Sequence, residues 1–293
     1  MLKAAGFAPG HISGFFSPFY VKEDMLRTGS KGAGVSLNIG SISEVSICNS
    51  KKQVFEIFLN GKRCNFTVVR SALNYLLGDS KVRVRVNIKF GLPLSQGFGM
   101  SAAASLSTCF ALSKVTDFSH SDAIHAAHFA EVASGTGLGD VVGSSFGGFE
   151  IRKKPGLPPW GIIEHIPGVY DLVLCTVDKP VNTKNVLNDS SLHDRICEVG
   201  DWCTEKLLDN PCVEKFFSLS KHFAVETDLA RGKILKAIES AEEFGTASMC
   251  MLGNSVFAVG KTENLCKVLS SYGRVFVSRV DVCGARVLEV IKK

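Results

Sequence analysis

The sequence lacks long apolar runs. It contains no stretch of about 18 consecutive apolar residues, the length that spans a bilayer. The apolar core of a signal peptide is also missing, because Pro9, Gly10 and His11 stand where that core would lie. Basic runs are equally short, the densest being Arg152-Lys153-Lys154. The net charge of +5 is therefore spread thinly. This predicts attraction for anionic small molecules and argues against a nucleic-acid or membrane partner.

Paired cysteine motifs are missing too, although the chain holds ten cysteines. No two of them are spaced as Cys-x-x-Cys, and several lie in apolar surroundings, such as Cys175 after Leu174 and Cys250 between two methionines. A free cysteine in such a setting acts as a small apolar residue. We therefore expect a reducing compartment and a cytoplasmic protein, not a secreted disulfide framework.

A proline-rich segment divides the chain. Hydrophobic residues make up 45% and charged residues 21% of the 293, which is typical of a globular protein with one large domain or two ordinary ones. Residues 153–159 hold three prolines and a glycine, a composition that neither a helix nor an interior strand accommodates. We place a domain boundary there, with one domain over 1–155 and a second over 160–293.

Hydrophobic periodicity predicts the main elements of the first half. Residues 82–88 alternate valine or isoleucine with mostly charged residues, which predicts an antiparallel strand with one wet face. Residues 66–77 have helical spacing, and Gly78 is placed to end that helix. Two more helices are predicted over 101–115 and 121–134, the second with Ser119 or Ser121 as its N-cap.

The second half predicts a mixture of strands and helices. The expected elements are a strand over 171–177, helices within 190–245, two short strands within 248–259, a helix over 263–271, and strands over 274–279 and 286–291. Antiparallel sheets with helices on one side define an α+β class.

The most informative segment follows the alternating strand and opens an alanine-rich helix; it reads Gly91-Leu92-Pro93-Leu94-Ser95-Gln96-Gly97-Phe98-Gly99-Met100-Ser101-Ala102-Ala103-Ala104. Glycines let a backbone approach a phosphate closely, and a helix N-terminus directs unpaired N–H groups and a positive dipole end toward it. Ser101, at the helix start, adds a hydroxyl suited to phosphate or Mg²⁺. The segment therefore predicts a phosphate-binding loop.

Other glycine-rich motifs fit this segment less well. A Walker A loop fails, because the only Gly-Lys-Thr, Gly260-Lys261-Thr262, has Ser255 where the first glycine belongs. Gly97, Gly99 and Ala102 formally match the dinucleotide-binding Gly-x-Gly-x-x-Ala, but the preceding strand alternates with charges, whereas the first strand of that fold is buried on both faces. An ordinary glycine-rich turn between a strand and a helix is the remaining alternative.

The segment resembles the second motif of the GHMP kinase family, Pro-x-x-x-Gly-Leu-Gly-Ser-Ser-Ala-Ala, which wraps the ATP phosphates. Phe98 replaces the usual leucine and Met100 replaces the first serine; the matching positions are Pro93, Gly97, Gly99, Ser101, Ala102 and Ala103. The resemblance implies a nucleotide site that comprises Pro93, Leu94, Gly97, Phe98, Gly99, Met100, Ser101, Ala102 and Ala103.

Two further segments resemble the other sequence blocks of the family. Phe7-Ala8-Pro9-Gly10-His11 resembles the N-terminal Ala-Pro-Gly block, although His11 stands where mevalonate kinases have lysine. Residues 249–257 occupy the place of the third block but contain a single glycine. That departure, together with the segments 8–16 and 29–35, resembles the pantoate kinase branch of the family, known from archaea.

The resemblance implies a catalytic set and a substrate set. Glu131, near the end of a predicted helix, and Ser101 would hold Mg²⁺, and Asp140, delivered by a glycine-rich turn, would be the catalytic base. A solvated glutamate and an ordinary turn aspartate are the alternative for these two acids. The set that would face the carboxylate of the substrate consists of Ser30, His128 and Arg152. A solvated charge beside two lysines is the alternative for Arg152.

For the whole chain, the resemblance implies an α+β GHMP kinase fold. An N-terminal domain like ribosomal protein S5 domain 2 would bind ATP, and a C-terminal ferredoxin-like domain would close the substrate site. The implied reaction is ATP-dependent phosphorylation of (R)-pantoate to 4-phosphopantoate, a step toward coenzyme A. A homodimer is compatible with it.

Two other functions stay open. One is a GHMP kinase that acts on a mevalonate-type or homoserine-type substrate, and the other is a non-catalytic paralogue that binds a ligand. Ser101, Glu131 and Asp140 together argue against the second, because a binding module has no need of a base.

Overall fold

The computed structural model of the chain describes residues 2–180 and 190–291. The strands are β1 (Leu2–Phe19), β2 (Gly29–Asn49), β3 (Val54–Leu59), β4 (Lys62–Arg63), β5 (Val82–Phe90), β6 (Phe149–Lys154), β7 (Ile162–Ile166), β8 (Asp171–Thr176), β9 (Gly245–Met249), β10 (Ser255–Gly260), β11 (Arg274–Arg279) and β12 (Arg286–Ile291). The helices are α1 (Thr67–Leu77), α2 (Met100–Lys114), α3 (His120–Ser134), α4 (Asp140–Phe146), α5 (Ser190–Asp209), α6 (Val213–Glu226), α7 (Gly232–Ala241) and α8 (Thr262–Leu269). The α+β class is confirmed.

The larger of two sheets has eight strands, in the order β12-β1-β2-β5-β3-β4, with β6 added to β2 and β7 added to β6. Its longest strands, β1 and β2, pair antiparallel from Leu2 opposite Ile47 to Phe19 opposite Gly29. Along β2 the second neighbour changes: residues 32–35 pair with β6, whereas residues 41–49 pair with β5. The long hairpin β1–β2 therefore joins the two parts of the sheet.

The alternating strand lies where the sequence predicts it, as β5. Its pairing with β2 is antiparallel, as predicted, but its pairing with β3 is parallel. Parallel neighbours need a crossover connection, and α1 lies between these two strands in the chain. Gly78 ends α1 with a positive φ of 51°, and Ser119 caps α3 in a capping box with Asp122, so both predicted helix signals are confirmed.

Two apolar cores of the described residues share the long hairpin, each with a different part of its length. The first packs α1, α2 and α3 against the larger sheet through residues such as Leu73, Val86 and Phe110. The second joins β1 and β2 to the smaller sheet, of order β11-β8-β10-β9, and to helices α5–α8; its members include Ile12, Phe16, Phe216, Phe223 and Phe257. Along β1, His11 therefore lies between Ala8 of the first core and Ile12 of the second.

The three prolines of the proline-rich segment lie in residues 155–161, which connect β6 to β7, whereas its two lysines end β6. Both of these strands belong to the larger sheet. The last strand, β12, also returns to that sheet and pairs with β1. The division into 1–155 and 160–293 stays a prediction, and residues 181–189 of the second part lie outside the described residues. In the described part of the chain, every helix is too short or too polar to cross a bilayer.

Candidate active site

The glycine-rich loop between β5 and α2 presents the N-terminus of a 15-residue helix. Gly97 and Gly99 have φ angles of 78° and 58°, in the left-handed region that only glycine adopts without cost. Gly99 is the N-cap of α2 and has no side chain to accept from the first-turn N–H groups. Those donors are therefore available to an anion.

The loop is fixed from two directions. The backbone N–H of His11 donates to the carbonyl of Phe98 at 3.0 Å, which ties the loop to β1. On the other side, a Cβ added to Gly97 would lie 2.9 Å from both the Cβ and the carbonyl oxygen of Cys250. The side chain of Gln96 bonds to Ser255 at 3.1 Å. Cys250 and Ser255, which belong to the counterpart of the third sequence block (249–257), thus support the loop.

A cavity of about 530 Å³ opens beside this loop. Of the residues predicted to bind nucleotide, Leu94 and the five residues from Gly97 to Ser101 line it. Its other walls include Ser13, Ser30, Thr136, Gly139 and Asp140. Among the residues described, the lining set does not include Pro93, Ala102, Ala103, Glu131, His128 or Arg152.

Ser101 and Glu131 meet directly at the end of α3. The Ser101 hydroxyl donates to Glu131 Oε1 at 2.5 Å, and the Thr136 hydroxyl donates to Glu131 Oε2 at 2.9 Å. Burial raises the pKa of Glu131 to about 7; the hydrogen bond from Ser101 opposes this shift, and the charge of Asp140 adds to it. These hard oxygens suit Mg²⁺, which in proteins is usually held by one or two carboxylates together with substrate phosphates. The described residues contain no cluster of three or more His, Cys, Asp or Glu side chains that could hold a metal without such help.

Asp140 is the first residue of α4, and its side chain is 27% exposed at the cavity. Its Oδ1 lies 2.8 Å from Nδ1 of His11, and Nε2 of the same ring lies 2.8 Å from Oε1 of Glu150. Burial by itself lowers the pKa of His11, but the charge of Glu150 and the hydrogen bonds to both carboxylates outweigh it and raise that pKa to about 9. His11 is therefore a cation at neutral pH.

Arg152 adds a fourth charged side chain to the series Asp140, His11 and Glu150, and it does not line the cavity among the described residues. Its Nη1 pairs with Glu150 Oε1, and its Nη2 donates to the Ser13 hydroxyl at 3.3 Å. A Cβ added to Gly139 would lie 2.7 Å from both Nε of Arg152 and the hydroxyl of Ser30, so these two groups flank the same glycine. The solvated-charge alternative for Arg152 is wrong, because only 2% of the residue is exposed.

His128 lies deeper. Its Nε2 is 2.9 Å from the carbonyl oxygen of Thr28, and it is 1% exposed. Burial lowers the pKa of His128, which favours the neutral ring. It contacts the segment that carries Ser30 and does not reach the cavity among the described residues.

Sequence reasoning missed Glu150 and Thr136 and left His11 without a role. One signal in the sequence concerns Glu150: apolar and charged residues alternate in Phe149-Glu150-Ile151-Arg152. This alternation is typical of a strand with one solvent-exposed face. All four residues are buried instead, because β6 is covered on both faces.

Comparison with known proteins identifies the family of the chain. The family model described as GHMP kinases N terminal domain matches residues 67–148, which include the loop, Glu131 and Asp140. A curated protein from Methanocaldococcus jannaschii, named pantoate kinase, is 34% identical over 90% of this chain and 95% of its own length.

Solved structures extend the similarity to the whole fold. A structure described as a phosphotransferase related to the CoA biosynthesis pathway is 29% identical and superimposes with a TM-score of 0.89 over 98% of both chains. A homoserine kinase from Cytophaga hutchinsonii shares the fold alone, at 16% identity and a TM-score of 0.71 over 98% of this chain and 97% of that one. The chain belongs to the GHMP kinase family, and within it to the family of the pantoate kinases. It is a kinase that uses ATP.

Proposed function

We propose that this protein transfers the γ-phosphoryl group of ATP to the primary hydroxyl of (R)-pantoate, which gives 4-phosphopantoate and ADP on the route to coenzyme A. One observation carries the proposal: Asp140, Ser30 and the open N-terminus of α2 face the same cavity. That cavity therefore offers a base, a phosphate-binding end and a polar wall. The family of the pantoate kinases, to which the chain belongs, supports the choice of substrate.

In this proposal Asp140 accepts the proton of the primary hydroxyl. The freed oxygen then bonds to the γ-phosphorus, the bond from that phosphorus to the bridging oxygen breaks, and ADP leaves with the electron pair. His11 holds Oδ1 of Asp140, and Oδ2 has no hydrogen-bond partner within the described residues. Oδ2 is thus the atom proposed to receive the proton.

Ser101 and Glu131 are proposed to hold Mg²⁺ together with the ATP phosphates. The metal would neutralise charge on the transferring group, as it does in phosphoryl transfer generally. Thr136 orients the Glu131 carboxylate through its hydrogen bond to Oε2. With Glu131 pKa near 7, metal binding also favours the ionised form of this carboxylate.

The pantoate carboxylate is proposed to bind at Ser30, which lines the cavity, and next to Arg152, whose Nε lies beside Ser30 at Gly139. Nη1 and Nη2 of Arg152 already serve Glu150 and Ser13, so Nε, which has no partner among the described residues, is the donor left for the substrate. Arginine suits this task because it stays charged when buried. His128 is proposed to act indirectly, through the backbone of Thr28 beside Ser30. Every residue used belongs to one chain, so the proposal holds for a monomer and for a homodimer alike. We place the protein in the cytoplasm, where its ten free cysteines would stay reduced.

A screen of ADP release tests the substrate assignment. Purified protein with Mg-ATP is offered pantoate, mevalonate, homoserine and galactose separately, and we expect the highest kcat/KM for pantoate. A higher value for mevalonate or homoserine would overturn the assignment to pantoate and leave a kinase of the same family. Binding without ADP release from any compound would favour the non-catalytic alternative.

Replacing Gly97 by alanine should weaken ATP binding. A side chain there meets Cys250 and must also adopt the left-handed conformation. Strain of about 1–2 kcal/mol from that conformation, added to the shift of the loop, predicts a rise of roughly ten-fold or more in the Kd for ATP. Gly78→Ala is the matched control, because Gly78 also has a positive φ but no heavy atom of the described residues lies within 4 Å of its added Cβ. Calorimetry should show an unchanged Kd for ATP in the control; equal weakening in both variants would contradict the role of the loop.

A further inference from the structure

We propose that Glu150 is a positioning residue: it holds His11 as a doubly protonated cation, and through His11 it fixes the orientation of the Asp140 carboxylate. This inference rests on the proposed role of Asp140 as the base. Glu150 does not touch the cavity itself among the described residues, since its carboxylate is fully buried behind His11.

The two short contacts of the His11 ring carry the argument. Nδ1 and Nε2 each lie 2.8 Å from a carboxylate oxygen, one on Asp140 and one on Glu150. A neutral imidazole has a single N–H, so one of its nitrogens would turn a lone pair toward an anion. While both acids are ionised, only the cation donates to both of them. Two carboxylates at hydrogen-bond distance from one ring therefore favour the imidazolium form.

The ring has no room to turn away from this arrangement. A Cβ at Gly34 would lie 2.4 Å from Nε2 of His11, and a Cβ at Gly143 would lie 2.3 Å from the same atom. Gly99 approaches the Cβ of His11 from the start of α2, where its own added Cβ would lie at 3.1 Å. Three glycines, Gly34 on β2, Gly99 at the N-cap of α2 and Gly143 on α4, thus leave space for the His11 ring and surround it closely.

The charged groups around the ring come from two elements. Asp140 on α4 and Glu150 on β6 face it directly, and Arg152 on β6 lies beyond Glu150. Glu131 on α3 lies on the far side of Asp140, across Gly137. Between Glu150 and the ring, the described residues contribute no other ionisable side chain. Removal of the Glu150 charge would leave Asp140 as the sole anion in contact with His11, and the buried ring would lose its proton more readily.

A second observation separates Glu150 from an ordinary structural ion pair. Its Oε1 serves both His11 and Arg152, whereas Oε2 has no partner in the described residues. A pair optimised for stability would satisfy both oxygens, because a buried carboxylate repays its desolvation only when its hydrogen bonds are complete. The position of Oε1 between His11 and Arg152 therefore fits a positioning role better than a purely structural one.

The test is the pH dependence of kcat for Glu150→Gln. The sign is fixed by the raised pKa: His11 is protonated below about 9, so in the wild type activity falls as pH rises through that value. In Glu150→Gln this alkaline fall should move to lower pH by about one unit or more, because burial then dominates the pKa of His11. At the acid end of the profile, kcat should approach the wild-type value.

Two further variants separate charge from shape. Glu150→Asp keeps the anion but shortens it, so kcat should fall while the alkaline limb stays near that of the wild type. Glu164→Gln removes an exposed glutamate on the neighbouring strand β7, where it pairs with Lys153, and should change neither the rate nor the profile. An unshifted alkaline limb in Glu150→Gln would overturn the inference, as would an equal shift in Glu150→Asp and Glu150→Gln.

A measurement on the wild type covers the case in which Glu150→Gln does not fold. The nitrogen-15 spectrum of the His11 ring at pH 7.5 should show both nitrogens protonated, and a neutral ring would overturn the inference. Failure of the proposed function would look different, because the wild type would then release no ADP with pantoate. Failure of the inference leaves that activity intact.

Discussion

Replacing Asp140 by asparagine is expected to lower kcat for pantoate by roughly 10²–10⁴-fold, the usual cost of losing a general base. Asparagine keeps the shape of the side chain and can still accept from Nδ1 of His11, which lies 2.8 Å from Oδ1. It cannot take the proton of the substrate hydroxyl. Single-turnover kinetics with saturating ATP should show the loss in the chemical step.

The binding of ATP provides the internal control. The Kd for ATP should be nearly unchanged in Asp140→Asn, because the phosphate-binding loop from Gly97 to Ala103 is untouched. Asp79→Asn, in the exposed turn after α1, is the matched control variant and should keep wild-type kcat. If Asp140→Asn retains more than about a third of the wild-type kcat, far above the range for loss of a base, Asp140 is not the base.

Replacing Arg152 by alanine should lower kcat/KM for pantoate by roughly 30-fold or more, because truncating one partner of a desolvated charge pair costs about 2–5 kcal/mol. The same variant leaves Glu150 buried without its partner Nη1, so the free energy of unfolding should also fall, by about 3–5 kcal/mol. Denaturant titration measures the second effect separately. Arg63→Ala, at an exposed position on β4, should show neither.

A substrate analogue separates recognition of the carboxylate from support of the fold. In the triol obtained by reducing the carboxylate of pantoate to an alcohol, the anion that Arg152 would bind is gone. The ratio of the Arg152→Ala activity to the wild-type activity should therefore be near one with the triol and far below one with pantoate. Arg152→Lys should recover part of the activity, because a point charge does not reproduce the guanidinium fork. Equal losses on both compounds would show that Arg152 supports the fold alone.

Most of the elements could be predicted because their signals are local. The alternation over 82–88 gave β5, and Gly78 and Ser119 gave the end of α1 and the start of α3. The partners of the strands could not be predicted in this way. The parallel neighbour of β5 and the return of β12 to β1 depend on contacts between distant parts of the chain, which periodicity does not encode.

In the candidate site too, the residues in local motifs could be predicted and the contacts between distant residues could not. The loop at 97–101 and the acids Glu131 and Asp140 follow from the resemblance to motifs that are local in the sequence. The loop and Asp140 line one cavity, and Glu131 contacts the loop residue Ser101. The pairing of His11 with Glu150 joins residues 139 positions apart. The role of Glu150 could not be predicted, because the pattern of a single strand does not reveal that both faces of β6 are covered. Buried charges are rare enough that the sequence alone favours the exposed interpretation.

The position of the new phosphate on pantoate tests the central claim most directly. Protein is incubated with Mg-ATP and pantoate, and the product is examined by phosphorus-31 NMR without proton decoupling. Transfer to the primary hydroxyl gives a phosphorus coupled to the two methylene protons, and therefore a triplet, which should disappear when Asp140→Asn replaces the wild type. A doublet, which indicates transfer to the secondary hydroxyl, or the absence of any phosphorylated pantoate would contradict the account.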